Sequence, residues 1–271
     1  MTSRSGHALL LVGAGKMGGA LLHRWLQSAD VARPIAVLEP KPGTDVEGLD
    51  GVTLNPGIDA LAKSDLAAVV IAVKPQAMAA VLPPLKPLVR PETVFLSIAA
   101  GTTVATMQGL LGADARIVRA MPNTPALIGR GATGLFVPPG IDEPQRTLCV
   151  ALLAAAGEVV TVNEERQMDA VTAVSGSGPA YTFLLIEALA AAASDVGLPK
   201  DVALQLAKAT VSGAAELARS SGETPTQLRQ NVTSPGGTTE AALDVLTGDQ
   251  GLSVLIHREV RAALERARQL N

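Results

Sequence analysis

The chain has 271 residues, 48% of them hydrophobic and only 17% charged, which is too apolar for a disordered chain and long enough for one or two domains. A net charge of -3 advertises no basic surface for duplex DNA, and 2% aromatics leave few rings to stack single-stranded nucleic acid. The lone Cys149 forms no internal disulfide and sits in the apolar run 148–153, as a small buried hydrophobe would. His7, His23 and His257 lie far apart, without metal-ligand spacing, so no metal is expected.

Residues 8–12 form a continuous apolar run, the pattern of a strand buried on both faces. With Arg4 ahead of it, this run mimics a signal peptide. It is too short, however, and leads straight into Gly13. Residues 17–28 have helical character. Residues 34–38, 67–73 and 93–98 read as further strands, with shorter candidates at 116–119 and 132–137. The Pro-rich stretch 83–87 reads as a loop edge. Strand, helix, strand at this spacing means βαβ units and a parallel sheet. The later apolar runs 66–73 and 183–193 fall short of the ~20 residues a membrane span needs, so a soluble cytoplasmic protein is expected, with no membrane and no nucleic acid among its partners.

Beyond Glu164 the strand pattern stops. Residues 179–196, 199–219, 238–246 and 252–270 read as helices, with Gly197 as a stop and Pro199 as a start. The expected fold is α/β. A dinucleotide-binding Rossmann-type parallel-sheet domain spans 1–163, and an all-helical substrate-binding and dimerisation domain spans 164–271.

Gly13-Ala14-Gly15-Lys16-Met17-Gly18 fits G-x-G-x-x-G between a strand and a helix. The first glycine makes the turn, the second lets backbone approach a pyrophosphate, and the third lets helix and strand pack. The helix start offers free N–H groups to the phosphates. Glu39 closes the second strand, where an acid bonds the ribose hydroxyls of NAD and repels a 2′-phosphate. A solvated loop carboxylate is the plainer reading, and nearby Lys41 would attract that same phosphate. Val73-Lys74-Pro75-Gln76 and Ser97-Ile98-Ala99-Ala100-Gly101 fall at predicted C-terminal strand ends, where such sheets bind ligands. Lys74 reads equally well as a plain surface lysine.

A second anion site is expected at Ser234-Pro235-Gly236-Gly237-Thr238-Thr239-Glu240, where a glycine turn opens a helix. The first site already houses a pyrophosphate, so a substrate carboxylate is the natural occupant here. The plainer reading is a loop capped by Thr238 or Thr239. Ser175-Gly176-Ser177-Gly178-Pro179-Ala180-Tyr181 is a third small-residue cluster. It reads as close helix approach at Gly176 and Gly178, or as room for a flat ring.

With Arg119-Ala120-Met121-Pro122-Asn123-Thr124-Pro125, these segments give the chain a clear likeness: it resembles the pyrroline-5-carboxylate reductase family over nearly its whole length. The resemblance implies reduction of 1-pyrroline-5-carboxylate to L-proline with NADPH or NADH, the last step of proline biosynthesis. It implies a homodimer interlocked through the helical domain, often assembled further into a decamer. It places the substrate carboxylate on Ser234 and the Gly236-Gly237-Thr238 backbone, and the ring nitrogen on Thr239. It sets Lys74-Pro75 and Ala99-Ala100 beside the nicotinamide ribose, and makes Asn231 and Glu165 cofactor or partner-subunit contacts. Glu39 departs from many members, whose NADP-using forms carry uncharged or basic residues there.

Two rivals differ on particular residues. A β-hydroxyacid dehydrogenase would carry a catalytic lysine in the helix after its small-residue segment; here that helix reads Tyr181-Thr182-Phe183-Leu184-Leu185-Ile186-Glu187. A non-catalytic dinucleotide sensor has no need of a second anion site. The loop 234–239 offers hydroxyls and amides but no His, Lys or Asp. That suits an imine, whose reduction yields an amine and needs no strong acid, better than a ketone.

Overall fold

The computed structural model describes residues 8–31 and 33–269; Arg4, His7 and Leu270 lie outside them. In chain order the elements are β1 (Leu9–Val12), α1 (Lys16–Gln27), β2 (Ile35–Leu38), β3 (Val52–Leu54), α2 (Ile58–Leu61), β4 (Ala68–Ile71), α3 (Met78–Val81), β5 (Val94–Ser97), α4 (Val104–Leu111), β6 (Arg116–Met121), β7 (Gly131–Phe136), α5 (Glu143–Ala154) and β8 (Gly157–Val162). Then follow α6 (Gln167–Val171), a π-helical turn at Thr172–Gly176, α7 (Gly178–Asp195), α8 (Lys200–Ser220), α9 (Pro225–Asn231), α10 (Thr238–Thr247) and α11 (Leu252–Gln269). Short 3-10 helices occupy Pro75–Ala77, Pro83–Leu88 and Thr124–Ile128. The chain divides into two compact units. The first runs through Gly176 and takes back the end of α11 from Ala263; the second is Ser177–Ala262.

The first unit is built on one sheet in the order β3-β2-β1-β4-β5-β6-β7-β8. Every pairing is parallel except β6 with β7. The reason for the exception is length: the link between them, residues 122–130, is taken up by the Thr124–Ile128 turn with Gly129 in the left-handed region, and a parallel return needs a dozen or more residues. Alternate residues of β1 feed two cores. Leu9 and Leu11 pack on one face with Trp25 and Val37, while Leu10 and Val12 pack on the other with Phe95 and Ile71. Trp25 is fully buried, and its indole N–H donates to the Leu152 carbonyl at 2.7 Å, tying α1 to α5. Each such side chain stabilises the unit by roughly 1.5–3 kcal/mol. Cys149 is buried on α5, and desolvation pushes its pKa up to about 12.

Two strands were not anticipated, and one local expectation needs correction. The strands β3 and β8 carry no strong sequence signal: β3 has three residues, and β8 alternates half-buried and exposed positions at the sheet edge. The proline stretch is helical, because a 3-10 helix with prolines at its start demands little from backbone N–H groups.

The second unit holds α7 to α10 and most of α11. The expected helices are present, with Pro199 as N-cap of α8 and Gly197 at φ 106 beyond the end of α7. Here α7 packs on α8, yet α7 buries no residue and α8 buries only Ala203 and Ala207. Phe183, Leu184, Leu185, Leu189, Leu204 and Leu206 stay exposed.

Candidate functional site

The carboxyl end of β1 enters the glycine turn at Gly13, whose φ of 92 favours glycine. A Cβ on Gly13 would lie 2.9 Å from the Ala72 carbonyl oxygen, and one on Gly18 would overlap the Gly13 carbonyl. Both positions are glycine for reasons of packing. Gly15 is different. A Cβ there would meet nothing within 4 Å, so its bareness leaves room for something outside the chain. Gly15 is the N-cap of α1 and supplies no side-chain acceptor, which leaves the N–H groups at the start of α1, from Lys16 and Met17 onward, without a side-chain cap, the arrangement that suits an anion.

Beside this turn lies a cleft of about 580 Å³. Gly13, Gly15, Glu39, Val73 and Lys74 line it, along with Asn55. Its walls are otherwise apolar, with Ile58, Val81 and Leu85 among them, and suit a flat base. The residues therefore fit a dinucleotide: apolar walls for adenine, an acid at the end of β2 for a ribose, and a bare helix start for the pyrophosphate.

Glu39 is held on both sides. The Ala14 N–H donates to its Oε2 at 2.9 Å and the Lys41 N–H to its Oε1 at 3.0 Å. The Asn55 side chain brackets the Glu39 backbone, accepting from its N–H and donating to its carbonyl, both at 2.9 Å. Sequence reasoning missed Asn55; the Asn55-Pro56-Gly57 turn signal just after β3 was the available clue.

Lys74 is exposed at the N-cap of the Pro75–Ala77 turn. Pro75 and Ala100 share a smaller cavity of about 90 Å³ with Gly101, Asp169 and Thr172, so the ends of β4 and β5 do meet at one pocket. Ala99, the neighbour of Ala100 in the chain, is buried, its N–H donating to Ser97 Oγ at 3.3 Å.

Glu165 is committed inside the first unit. Its Oε1 accepts from Arg119 Nη1 at 2.8 Å and from the Val104 N–H at 2.7 Å, tying β6 to the start of α4. Arg119 Nε is buried and finds no hydrogen-bond partner among the described residues. A buried amide, Asn123, was also overlooked as a positioning group. It accepts from the Ala132 N–H at 2.8 Å and donates to the Ser175 carbonyl at 3.1 Å, which anchors the π-helical turn. Gly176 does allow close approach, since a Cβ there would sit 2.7 Å from Met121 Cε, whereas Gly178 faces open space. Ser177 stands at the N-cap of α7, but its side chain makes no capping bond.

In the second unit the loop 234–239 leads into α10. Gly237, not Thr238 or Thr239, is the N-cap, again with no side-chain cap. The left-handed residue is Gly236 at φ 69. Gly237 has ordinary angles but no room, since a Cβ would lie 2.9 Å from the Ser234 carbonyl oxygen. Gly237 and Thr239 are half-buried, while Ser234 and Thr238 are exposed. The Gly236 N–H donates to Glu240 Oε2 at 2.6 Å, so the chain's own carboxylate already finds an anion-seeking amide here. Asn231 ends α9, accepting from Gln227 Nε2 at 2.8 Å and donating to Glu223 Oε2 at 3.2 Å.

A parallel sheet, a glycine turn at its first strand and a fitted cleft define a Rossmann-type dinucleotide-binding protein that carries an added helical unit. Residues 165–270 match the family model described as Pyrroline-5-carboxylate reductase dimerisation, and residues 8–101 match one described as NADP oxidoreductase coenzyme F420-dependent. A pyrroline-5-carboxylate reductase of Pseudomonas aeruginosa is 39% identical over 267 residues, 97% of this chain and 96% of its own. The structure of such a reductase from Coxiella burnetii superposes with a TM-score of 0.90 at 36% identity, covering 98% of this chain and 99% of that one. Plasmodium falciparum pyrroline carboxylate reductase, solved with NADP bound, gives 0.82 at 27% identity and 99% of each chain. The chain belongs to the pyrroline-5-carboxylate reductase family, and its residues 165–270 carry that family's dimerisation segment. Among the described residues no helix is long and apolar enough to cross a membrane. Nor does any group of three or more His, Cys, Asp or Glu there offer a metal site.

Proposed function

We propose that the chain reduces 1-pyrroline-5-carboxylate to L-proline with NADPH or NADH, as a cytoplasmic homodimer. The observation that carries this reading is the bare helix start at Gly237-Thr238-Thr239, a second anion-seeking site beside hydroxyls, in a member of this family. The domain split is read at 163/164; the dimerisation match from residue 165 supports it.

Gly15, Lys16, Met17 and Gly18 hold the pyrophosphate through backbone N–H groups, Gly13 makes the turn beneath it while its own N–H donates to the Leu38 carbonyl at 2.8 Å, and Glu39 meets the adenosine ribose. Val73, Lys74, Pro75, Ala99 and Ala100 border the nicotinamide ribose; Pro75 and Ala100 sharing a pocket supports that placement. Bound there, the reduced nicotinamide supplies a hydride to the C=N carbon. The Gly236 and Thr238 amides, with the Ser234 hydroxyl, hold the substrate carboxylate, while Gly237 closes the turn, its own N–H donating to the Ser234 carbonyl at 3.0 Å. Its arrival displaces Glu240 from the Gly236 N–H. Thr239 Oγ1 hydrogen-bonds the ring nitrogen and fixes which face of the imine is presented. The imine nitrogen enters protonated and leaves as an amine, so this chain needs no strong acid at that step and contributes chiefly by positioning. Asn231 is read as a contact to cofactor or partner subunit. Glu165 acts at the same border by fixing the start of α4 through Val104.

The dimer reading rests on the exposed apolar faces of α7 and α8, which a second copy covers. Assembly of dimers into a decamer is a further step that the resemblance suggests. The test is a steady-state assay with pyrroline-5-carboxylate and each reduced cofactor, alongside sedimentation at micromolar concentration. The reading requires proline formed in step with cofactor oxidation, and no monomer. A sample that turns over neither cofactor, or an active monomer, contradicts it.

A further inference from the structure

We propose that Glu39 makes the cleft select the dinucleotide with a free ribose 2′-hydroxyl, so that NADH is preferred to NADPH. This rests on the cofactor reading above and sharpens it. An acid at the end of β2 discriminates only if its charge cannot withdraw. Here it cannot: Oε2 is held by the Ala14 N–H and Oε1 by the Lys41 N–H. The backbone beneath it is pinned twice by the Asn55 side chain. Swinging the carboxylate aside would strand the Ala14 amide of the glycine turn itself, which is part-buried.

The fixed carboxylate lines the cleft, beside the ribose place. It still has lone pairs to accept from the 2′- and 3′-hydroxyls. A 2′-phosphate would bring about two negative charges against it. The other charged residue lining the cleft is Lys74. It follows β4, with β1 standing between β4 and β2 in the sheet. Two strand spacings separate the two strand ends by roughly 10 Å, about a Debye length, so at that separation solvent ions screen much of the Lys74 charge from Glu39. Lys41 meets Glu39 through its backbone N–H and is not among the lining residues.

The test is equilibrium binding without pyrroline substrate, read by isothermal titration and by nicotinamide fluorescence. Wild type should bind NADH at least tenfold more tightly than NADPH. In the Glu39→Gln variant the side-chain carbonyl still accepts from Ala14, but the charge is gone. NADPH affinity should then rise and the ratio narrow at least fivefold. Competition by 5′-AMP against adenosine 2′,5′-bisphosphate should show the same change, which localises the effect to the adenosine end. Equal or tighter NADPH binding by wild type overturns the proposal, as does an unchanged ratio in Glu39→Gln. An equal loss of both cofactors in that variant also overturns it, because Glu39 would then be a prop of the turn and no discriminator. Turnover is measured separately. Failure to reduce pyrroline-5-carboxylate with the NADH preference intact would sink the substrate reading and leave this one standing.

Discussion

The two units spend their apolar residues differently. The first turns alternate residues of short strands into two sheet faces and buries Trp25, Phe95 and the leucines of β1 almost completely. The second has long helices on which several leucines and valines stay exposed, with small alanines at the α8 seam. The difference teaches where each unit's stability comes from. The first closes its core within one chain. The second has the composition of a core without enough chain to close it, which the proposed dimer would complete. A ligand site in the first unit should therefore be separable from assembly, and one in the second should not.

The contrast breaks most sharply at the glycine turn. Gly18→Ala puts a methyl inside the Gly13 carbonyl and should destabilise the first unit by on the order of 3 kcal/mol, lowering Tm by roughly 10 °C. Gly15→Val faces open space; it should leave Tm within a few degrees and weaken cofactor binding about tenfold or more. Calorimetry and titration on the two variants check this, and equal melting losses would contradict it.

In the second unit, Leu185 and Leu189 are exposed one helical turn apart on α7. Leu185→Asp with Leu189→Asp should dissociate the dimer by about 100-fold or more in Kd, since each buried leucine is worth ~1.5–3 kcal/mol and recurs in both copies. Sedimentation reads it. A dimer of unchanged strength moves the interface off α7.

Thr239→Val should keep fold, dimer and cofactor affinity but lower kcat/KM roughly tenfold to a hundredfold through one lost hydrogen bond. Gly237→Val should do more, given the Ser234 carbonyl 2.9 Å from its Cβ position. Retained activity in both moves the substrate off this loop.

Cys149 gives a pH test of the first core alone. Its folded pKa is raised from 9.0 to about 12, so between those values the unfolded chain loses a proton that the folded chain keeps. Stability should fall as pH rises above about 9, by up to about 1.4 kcal/mol per unit. Cys149→Ala should flatten that slope in denaturant titrations. The smallest effect is at Glu240. Glu240→Ala frees the Gly236 N–H and should lower KM for the substrate roughly twofold to threefold, with kcat held.

Much of this was readable in the chain. The run 8–12, the glycine turn and the later helices followed from periodicity, because fully buried strands and proline- or glycine-bounded helices carry strong local signals. What escaped was decided by distant partners. The β8 strand is an edge of mixed polarity whose place is set by pairing with β7. The hand of β7 depends on the short link before it. Arg119 and Glu165 are 46 positions apart and Asn123 and Ser175 are 52 apart, so no local pattern announces either tie. At the loop 234–239 the motif was plain, but only the folded backbone shows that Gly236 needs the positive φ and that Gly237 needs the space beside the Ser234 carbonyl.

The most direct test of the central claim is one steady-state comparison: proline formed per reduced cofactor consumed, for wild type and Thr239→Val at matched dimer and matched cofactor saturation. The account predicts one-to-one stoichiometry in wild type and a kcat/KM lower by at least about tenfold in the variant. Equal rates in the two proteins, or cofactor consumed without proline, would contradict it.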